Sequence, residues 1–509
     1  MKYLTTTLSL ALAAGAYAGT HTWFTPLTES APVTDPNSPE ELTQPWISPE
    51  GIAQKNVVSL REVEDEILSY GQSIVHIPEL GSTGSMIDMI AYDDTGNFLF
   101  LPHETLVGAG VTRVNLYNCE TVNLFAGDGN GTEGDWSNDW GAFDPARYTP
   151  YGTVWAAEEW SGEGRVMEVV NPFADPEDIV VRELEVFANV SHEGINFSEK
   201  FDDTVYYVDE DRSGSVYKYV MSAPGSYLSG GQTFVLSVDS FVANGGDASS
   251  NWNVGDNSDI RTGMASWVPI TDENGVPLPG LTDPFTVTSE NGRPGRTAAN
   301  EVNGTPYGRP EDCEVGTLAN GNEVLYFAAT SENTVYSVEM IQAEIPARWV
   351  RIGRRWVWQP AYTVDKAMVR VFASENGTPK NDGFAPTSAV INSPDNLAQD
   401  ALGNIYIIED APNGSSTGGD IWFVRDQNND GVGESVDHFL SLQVAGSEAT
   451  GMIWNPVYPE EFVIAVQHPS STNLAEIPNG LGDAVWMFNV TNIPDQTFVH
   501  QLISTQTAD

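Results

Sequence analysis

From residue 95 onward the chain keeps returning to one short pattern. A turn rich in Gly, Asn or Asp leads into a few apolar residues, and a second, aromatic run follows. Thr95-Gly96-Asn97 precedes Phe98-Leu99-Phe100-Leu101, and Tyr151-Gly152-Thr153 precedes Val154-Trp155. Asp202-Asp203 leads to Val205-Tyr206-Tyr207-Val208, then Ser213-Gly214-Ser215 to Val216-Tyr217-Lys218-Tyr219. Gly321-Asn322 and Glu332-Asn333 introduce the runs at 324–327 and 335–338; Gly403-Asn404 introduces 405–408, with 421–424 after it; 462–466 is followed by 484–488. Apolar runs this short, bounded by turn residues, read as β-hairpins. Their recurrence at roughly 50–80 residues matches propeller blades carrying insertions. The expected fold is all-β, a β-propeller of about six blades. Such a fold brings the innermost strands of different blades to one axis, where side chains far apart in sequence can share a site.

The rest of the chain divides around this repeat. Residues 1–18 read as an export leader, with Lys2, an apolar stretch near 8–14 and the small-x-small site Ala16-Tyr17-Ala18. No twin arginine is present, so general export to a periplasmic or secreted location is expected. Residues 19–60, with Pro26, Pro32, Pro36, Pro39 and Pro45, read as an extended N-terminal arm on the surface. Residues 61–509 read as a single propeller domain, interrupted around 221–300 by a long insertion rich in Gly, Asn, Asp and Ser. The best helix candidate is short, near 62–69. No later segment has the roughly 18–20 continuous apolar residues of a membrane span.

Charge narrows the partners. There are 71 Asp+Glu against 22 Lys+Arg, a formal net charge of −49. That balance argues against nucleic acid, whose phosphates need cationic side chains, and against docking on anionic lipid. With 40% hydrophobic residues the chain is no disordered acidic tail. It suits salty or calcium-containing water, in which carboxylates are screened or take cations. The two cysteines, Cys119 and Cys313, fit one disulfide or two buried thiols equally well. They are too few for a thiolate metal cluster.

Acidic residues gather at the ends of the apolar runs: Glu158-Glu159, His192-Glu193, Glu210-Asp211-Arg212, Arg309-Pro310-Glu311-Asp312, Ser393-Pro394-Asp395-Asn396, Glu448, and Gln467-His468. Any one of them alone reads as a solvated turn carboxylate. Their repetition in successive blades predicts a ring facing the axis. Such a ring needs compensation, and hard cations with oxygen ligands, above all calcium, supply it. Arg309 carries a planar fork suited to phosphate; an ion pair with Glu311 or Asp312 is the equal alternative. His103, His192 and His468 read as structural histidines. Separately, Asp426, Asn428, Asp430, the carbonyl of Val432, Glu434 and Asp437 occupy the ligand positions of a peripheral calcium loop, with Gly431 at its sharp turn. No nucleophile elbow, phosphate loop or dinucleotide fingerprint is present.

These segments, in this order, resemble the PhoX-type alkaline phosphatases, exported β-propeller enzymes that use calcium and iron. The resembling residues are Pro102-His103-Glu104, Thr149 to Thr153 through Ala157-Glu158-Glu159, His192-Glu193, Glu210-Asp211-Arg212, Arg309-Pro310-Glu311, Ser393 to Leu397, Glu448 to Gly451 and Gln467-His468-Pro469. The resemblance implies hydrolysis of phosphate monoesters and a small phosphorylated substrate; of the oligomeric states, a monomer is favoured. It implies that Glu159, Glu193, Glu311, Asp395 and Glu448 hold metal and that Arg309 binds the phosphate; Glu158 is a further expected metal ligand, and Arg309 and Glu311 are the expected catalytic residues. Calcium is the expected cofactor. Iron is the second, but the family's iron-bridging cysteine is replaced here by Ala157, so iron would lose a thiolate ligand. The alternative expectation is a non-catalytic secreted calcium-binding propeller for adhesion or binding. A third is a phytase-like or lactonase-like hydrolase on the same calcium logic.

Overall fold

The structure, a computed structural model, describes residues 23–34, 38–62, 87–118, 120–132, 135–160, 162–253, 258–352, 355–381, 391–411, 416–472, 474 and 476–491. The leader at 1–18, Cys119 and most of the candidate helix at 62–69 lie outside the described residues. Two short strands open the chain, β1 (Trp46–Ile47) and β2 (Ala53–Ser59), after a one-turn helix α1 (Pro39–Thr43). Six antiparallel blades follow. The first has an inner stretch at 87–92 containing β3 (Ala91–Tyr92), then β4 (Phe98–Pro102), β5 (Gly110–Asn115) and β6 (Glu120–Ala126). The second has β7 (Phe143–Tyr148), β8 (Val154–Glu158), β9 (Val166–Val169) and β10 (Val181–Glu183). The third has β11 (His192–Phe197), β12 (Thr204–Asp209), β13 (Val216–Met221) and β14 (Gly231–Val238).

After helix α2 (Asp239–Ala243), β15 (Gly263–Pro269) and helix α3 (Pro294–Glu301), the fourth blade has β16 (Pro310–Thr317), β17 (Glu323–Ala329) and β18 (Thr334–Ile345). A separate hairpin, β19 (Arg348–Ile352) and β20 (Arg355–Gln359), precedes its outer strand β21 (Tyr362–Ser374). The fifth has β22 (Pro394–Gln399), β23 (Ile405–Glu409), β24 (Asp420–Arg425) and β25 (Ser435–Leu442). The sixth has β26 (Glu448–Trp454), β27 (Glu461–Gln467) and β28 (Ala484–Asn489). The propeller expected from the repeat is what forms, and the runs read from sequence are the second strand of every blade and, from the third blade on, the third strand as well.

Those strands read clearly because both their faces are buried. In β23, Ile405 and Ile407 face the fourth blade while Tyr406 and Ile408 face the sixth. Alternation therefore places apolar residues on both sides, giving a continuous run. The core is accordingly six apolar clusters, one between each neighbouring pair of blades, including one that joins the first to the sixth.

Two expectations about the flanking segments are corrected. The stretch before residue 60 is not merely an arm laid on the surface. β2 pairs with β28 as the fourth strand of the sixth blade, β1 pairs with β25 on the fifth, and Trp46 is fully buried. The chain thus closes its ring with a strand from near the start, which pairs directly with one near the end. The region 221–300 is also not a loop alone. It provides β14, then β15, which pairs with both β14 and β21 and fuses the third and fourth blades along their outer edges.

Candidate active site

The inner strands share one irregularity. In the second to fifth blades, a paired residue at the start of the strand is followed by two residues that oppose only one on the neighbouring strand. The anchoring pairs are Phe143↔Glu158, His192↔Asp209, Pro310↔Ala329 and Pro394↔Glu409, and pairing resumes three residues later against two. The first blade also carries one extra residue, pairing resuming four residues later against three between Ile87↔His103 and Ala91↔Phe100, and the sixth has the two-against-one form after Thr450↔Ala465. A β-bulge leaves its extra residue unpaired and re-aims its side chain. In five blades the first bulged residue is an acid: Asp88, Asp144, Glu193, Glu311 and Asp395. Ala142, Arg309 and Ser393, each one residue before an anchor, sit in the left-handed region at φ +47, +54 and +47. Such strained positions persist where surrounding structure holds them, and they gather at functional sites.

The neighbouring strand completes the rule. The residue just past its anchor is Glu104, Glu159, Glu210 or Asp410 in the first, second, third and fifth blades. Alternation sends the anchor's own side chain away from this group. Glu158 is held by Arg165 at 2.7 Å and by the Gly141 and Arg165 amides. Asp209 is held by Arg296 of α3, at 2.8 Å to Nε. Glu409 accepts from Trp422 Nε1 at 2.8 Å and the Asn392 amide. The sixth blade contributes Glu448 and His468, joined Nε2 to Oε2 at 2.7 Å.

These side chains converge. Carboxylate oxygens of Asp88, Glu104 and Asp144 lie within 4.8 Å of one another, as do those of Asp88, Asp395 and Glu448, and those of Asp144, Glu159 and Glu193. Buried amides steady them: Gln467 Nε2 donates to Glu104 at 2.7 Å and to Asp88 at 3.2 Å, and Asn396 Nδ2 donates to Asp88 at 3.2 Å. Burial first, and then mutual repulsion, drives the carboxyls of Asp88, Asp144, Glu159, Glu193 and Asp395 well above their usual range. Burial likewise pushes Glu104 up to about 7, and burial with Asp410 pushes Glu448 up to about 8. At His468 burial opposes the charge, but Glu448 outweighs it and raises the imidazole to about 10. Arg309 hydrogen-bonds through Nε to Glu210 and lies 3.3 Å from Glu311 Oε1. Its two terminal nitrogens make no hydrogen bond to a described residue, and its side chain is 35% exposed.

The family model described as alkaline phosphatase PhoX matches residues 117–470. The chain belongs to this family. That membership places it among phosphatases. The structure of Pseudomonas fluorescens PhoX in complex with vanadate, a transition state analogue, shares the fold at 15% identity and TM-score 0.55, over 91% of this chain and 98% of that one. A gluconolactonase from Xanthomonas campestris (8% identity, 80% and 86% covered, TM-score 0.33) and the calcium-binding regucalcin from Agrobacterium tumefaciens (9%, 79% and 89%, TM-score 0.33) are more distant. No curated protein matches the sequence.

Of the site residues expected in this PhoX family member, Glu159, Glu193, Glu311, Asp395 and Glu448 lie in the convergent group, with Arg309 at its edge. Glu158 does not: its carboxylate is committed to Arg165, beneath the group. Asp88 and Asp144 were not expected and stand at its centre. Cys313, two residues past Glu311, does not share its face, because the bulge intervenes. Cys313 is a free thiol buried among Val208, Phe327 and Tyr307. Ala157 packs in the apolar cluster between the second and third blades. In the peripheral loop, Asp426 accepts from the Asp430 and Gly431 amides, Asn428 from the Asp430 amide, Asp430 from the Val432 amide, and Glu434 from the Gln427 amide. Asp437, expected as its twelfth-position ligand, is instead bound by Arg425 at 2.6 Å and fully buried.

Proposed function

We propose that this chain hydrolyses phosphate monoesters at the axial carboxylate group, with divalent cations, calcium foremost, held there. The observation that carries the reading is the convergence of acids from the inner ends of the blades onto one spot beside Arg309. The donor set fits a hard cation: it is all carboxylate oxygen, and Asp144 Oδ1 and both oxygens of Glu311 are buried without a hydrogen-bond partner. Asp88, Glu104, Asp144, Glu159, Glu193, Glu311, Asp395 and Glu448 would hold the cations, which when bound neutralise phosphoryl charge and activate an oxygen nucleophile. Arg309 binds the phosphoryl group through its terminal nitrogens, while Glu210 fixes its Nε and so the plane of the fork. As negative charge grows on the phosphoryl oxygens, the guanidinium is already in place to stabilise it. His468 holds Glu448 in its rotamer and carries positive charge at the rim. The leader pattern at 1–18 supports an exported protein; no helix among the described residues is long and apolar enough to cross a membrane.

The test is an elemental count on the purified protein with an assay of p-nitrophenyl phosphate before and after chelation. Hydrolysis that chelator abolishes and calcium, alone or with iron, restores is expected. Arg309→Ala is expected to lose roughly 100-fold or more in kcat/KM with an unchanged circular dichroism spectrum. Metal binding without turnover would leave the calcium-binding, non-catalytic propeller in its place.

A further inference from the structure

The hairpin β19–β20 stands apart from the chemistry of the rest of the molecule. Residues 345–364 hold four arginines, Arg348, Arg351, Arg354 and Arg355, and no acid, in a chain of net charge −49. Its strands pair only with each other. Trp349, Trp356 and Trp358 are 61%, 65% and 50% exposed. Register places Trp349 opposite Trp358 and Arg351 opposite Trp356, so the three indoles and Arg351 share one face. The other face carries Arg348, Val350, Val357 and Arg355, and Val357 is 42% exposed. Trp349 and Trp358 pack edge to face at 5.4 Å, which stiffens the ribbon.

We infer that this hairpin docks the protein on a bilayer surface bearing anionic phosphate headgroups. Two features select that partner. A flat protein surface covers one face of a ribbon, whereas the interfacial layer of a membrane surrounds both, and here each face carries apolar side chains beside arginine. Tryptophan and arginine are also the pair that settles at that depth, the indole among glycerol and upper acyl groups and the guanidinium on phosphate. The acidity of the whole chain does not prevent this. Five residues of strand extend roughly 17 Å, about twice the screening length at physiological ionic strength, so Arg355 at the tip meets the headgroups beyond the reach of the acidic body, while Arg348 stands at the base.

The experiment is flotation of the full-length mature protein, metal-loaded and freed of excess calcium, with vesicles of 30% phosphatidylglycerol in phosphatidylcholine and with phosphatidylcholine alone. Binding to the anionic vesicles at least tenfold above the neutral ones is expected, with a blue shift in tryptophan emission. A Trp349→Ser, Trp356→Ser, Trp358→Ser variant should lose both, and Arg348→Ser with Arg355→Ser should weaken binding by roughly fivefold for each arginine removed. Both should keep wild-type phosphatase activity and melting temperature. No flotation by the wild type, or equal flotation by the tryptophan variant, overturns the inference. So does hairpin-dependent self-association or polyphosphate binding without lipid binding, which would assign the ribbon to a second copy or to a soluble polyanion.

Discussion

Glu158 and Glu159 are neighbours in sequence with opposite duties, and the geometry separates them by experiment. Glu158→Gln removes the charge that Arg165 binds, inside a buried network that also serves two backbone amides. It is expected to destabilise the fold by about 1–3 kcal/mol and to leave the metal count unchanged. Glu159→Gln removes an oxygen from the convergent group instead. It is expected to lower metal content and activity while leaving the metal-free protein as stable or more so, since one buried repelling charge is gone. Calorimetric melting and elemental analysis of the two variants check this, and the reverse pattern would exchange their roles. Sequence alone could not divide the pair, because both acids follow the same apolar run and only strand register decides which one faces the axis.

At the level of elements, the bulge in five of the six inner strands does the aiming, and it depends on close approach between blades. In the third blade the second bulged residue is Gly194, where a Cβ would lie 2.3 Å from the Cys313 amide on β16. Gly194→Ala is expected to force β11 and β16 apart, costing about 1–3 kcal/mol and displacing Glu193 and Glu311 together. A melting temperature and a metal-affinity measurement that both stay unchanged would show that the bulge tolerates the spread. The same bulges explain what was hard to read. The second strands of the blades, and the third strands from the third blade on, are doubly buried and announced themselves as apolar runs. The inner strands, such as Pro394-Asp395-Asn396 and Phe143-Asp144-Pro145, carry acids and Pro where a strand should alternate, so they looked like turns. β2, Ala53-Gln54-Lys55-Asn56, is polar because it is an edge strand. One signal was present for Asp88 and Asp144: Asp88 to Glu104, Asp144 to Glu159, Glu193 to Glu210 and Asp395 to Asp410 are 16, 15, 17 and 15 positions apart. That spacing is one inner strand, one turn and one returning strand.

For the molecule as a whole, the carboxylate group makes metal and stability one subject. Each of these acids has its folded pKa raised above its unfolded value, so the metal-free native state binds more protons than the unfolded chain. Its stability must therefore fall as pH rises, from the ordinary carboxylate range near 4.5 through about 7 at Glu104 and about 8 at Glu448. Metal-free protein is expected to melt at progressively lower temperature from pH 5 to pH 9. Added calcium should raise the melting temperature more at pH 9 than at pH 5, because cations compete with those protons. A calcium effect that does not grow with pH would place its binding outside the axial group. The closure of the ring by β2 has a separate consequence. Ala53–Ser59 must wait for Ala484–Asn489 before the sixth blade is complete, so a chain emerging in order from a ribosome or a translocation pore carries four whole interfaces, a partial fifth and an open seam until nearly all of it is through. Any product cut short before residue 484 is left with that seam exposed, which marks it for proteolysis and makes completed synthesis a precondition for the native state.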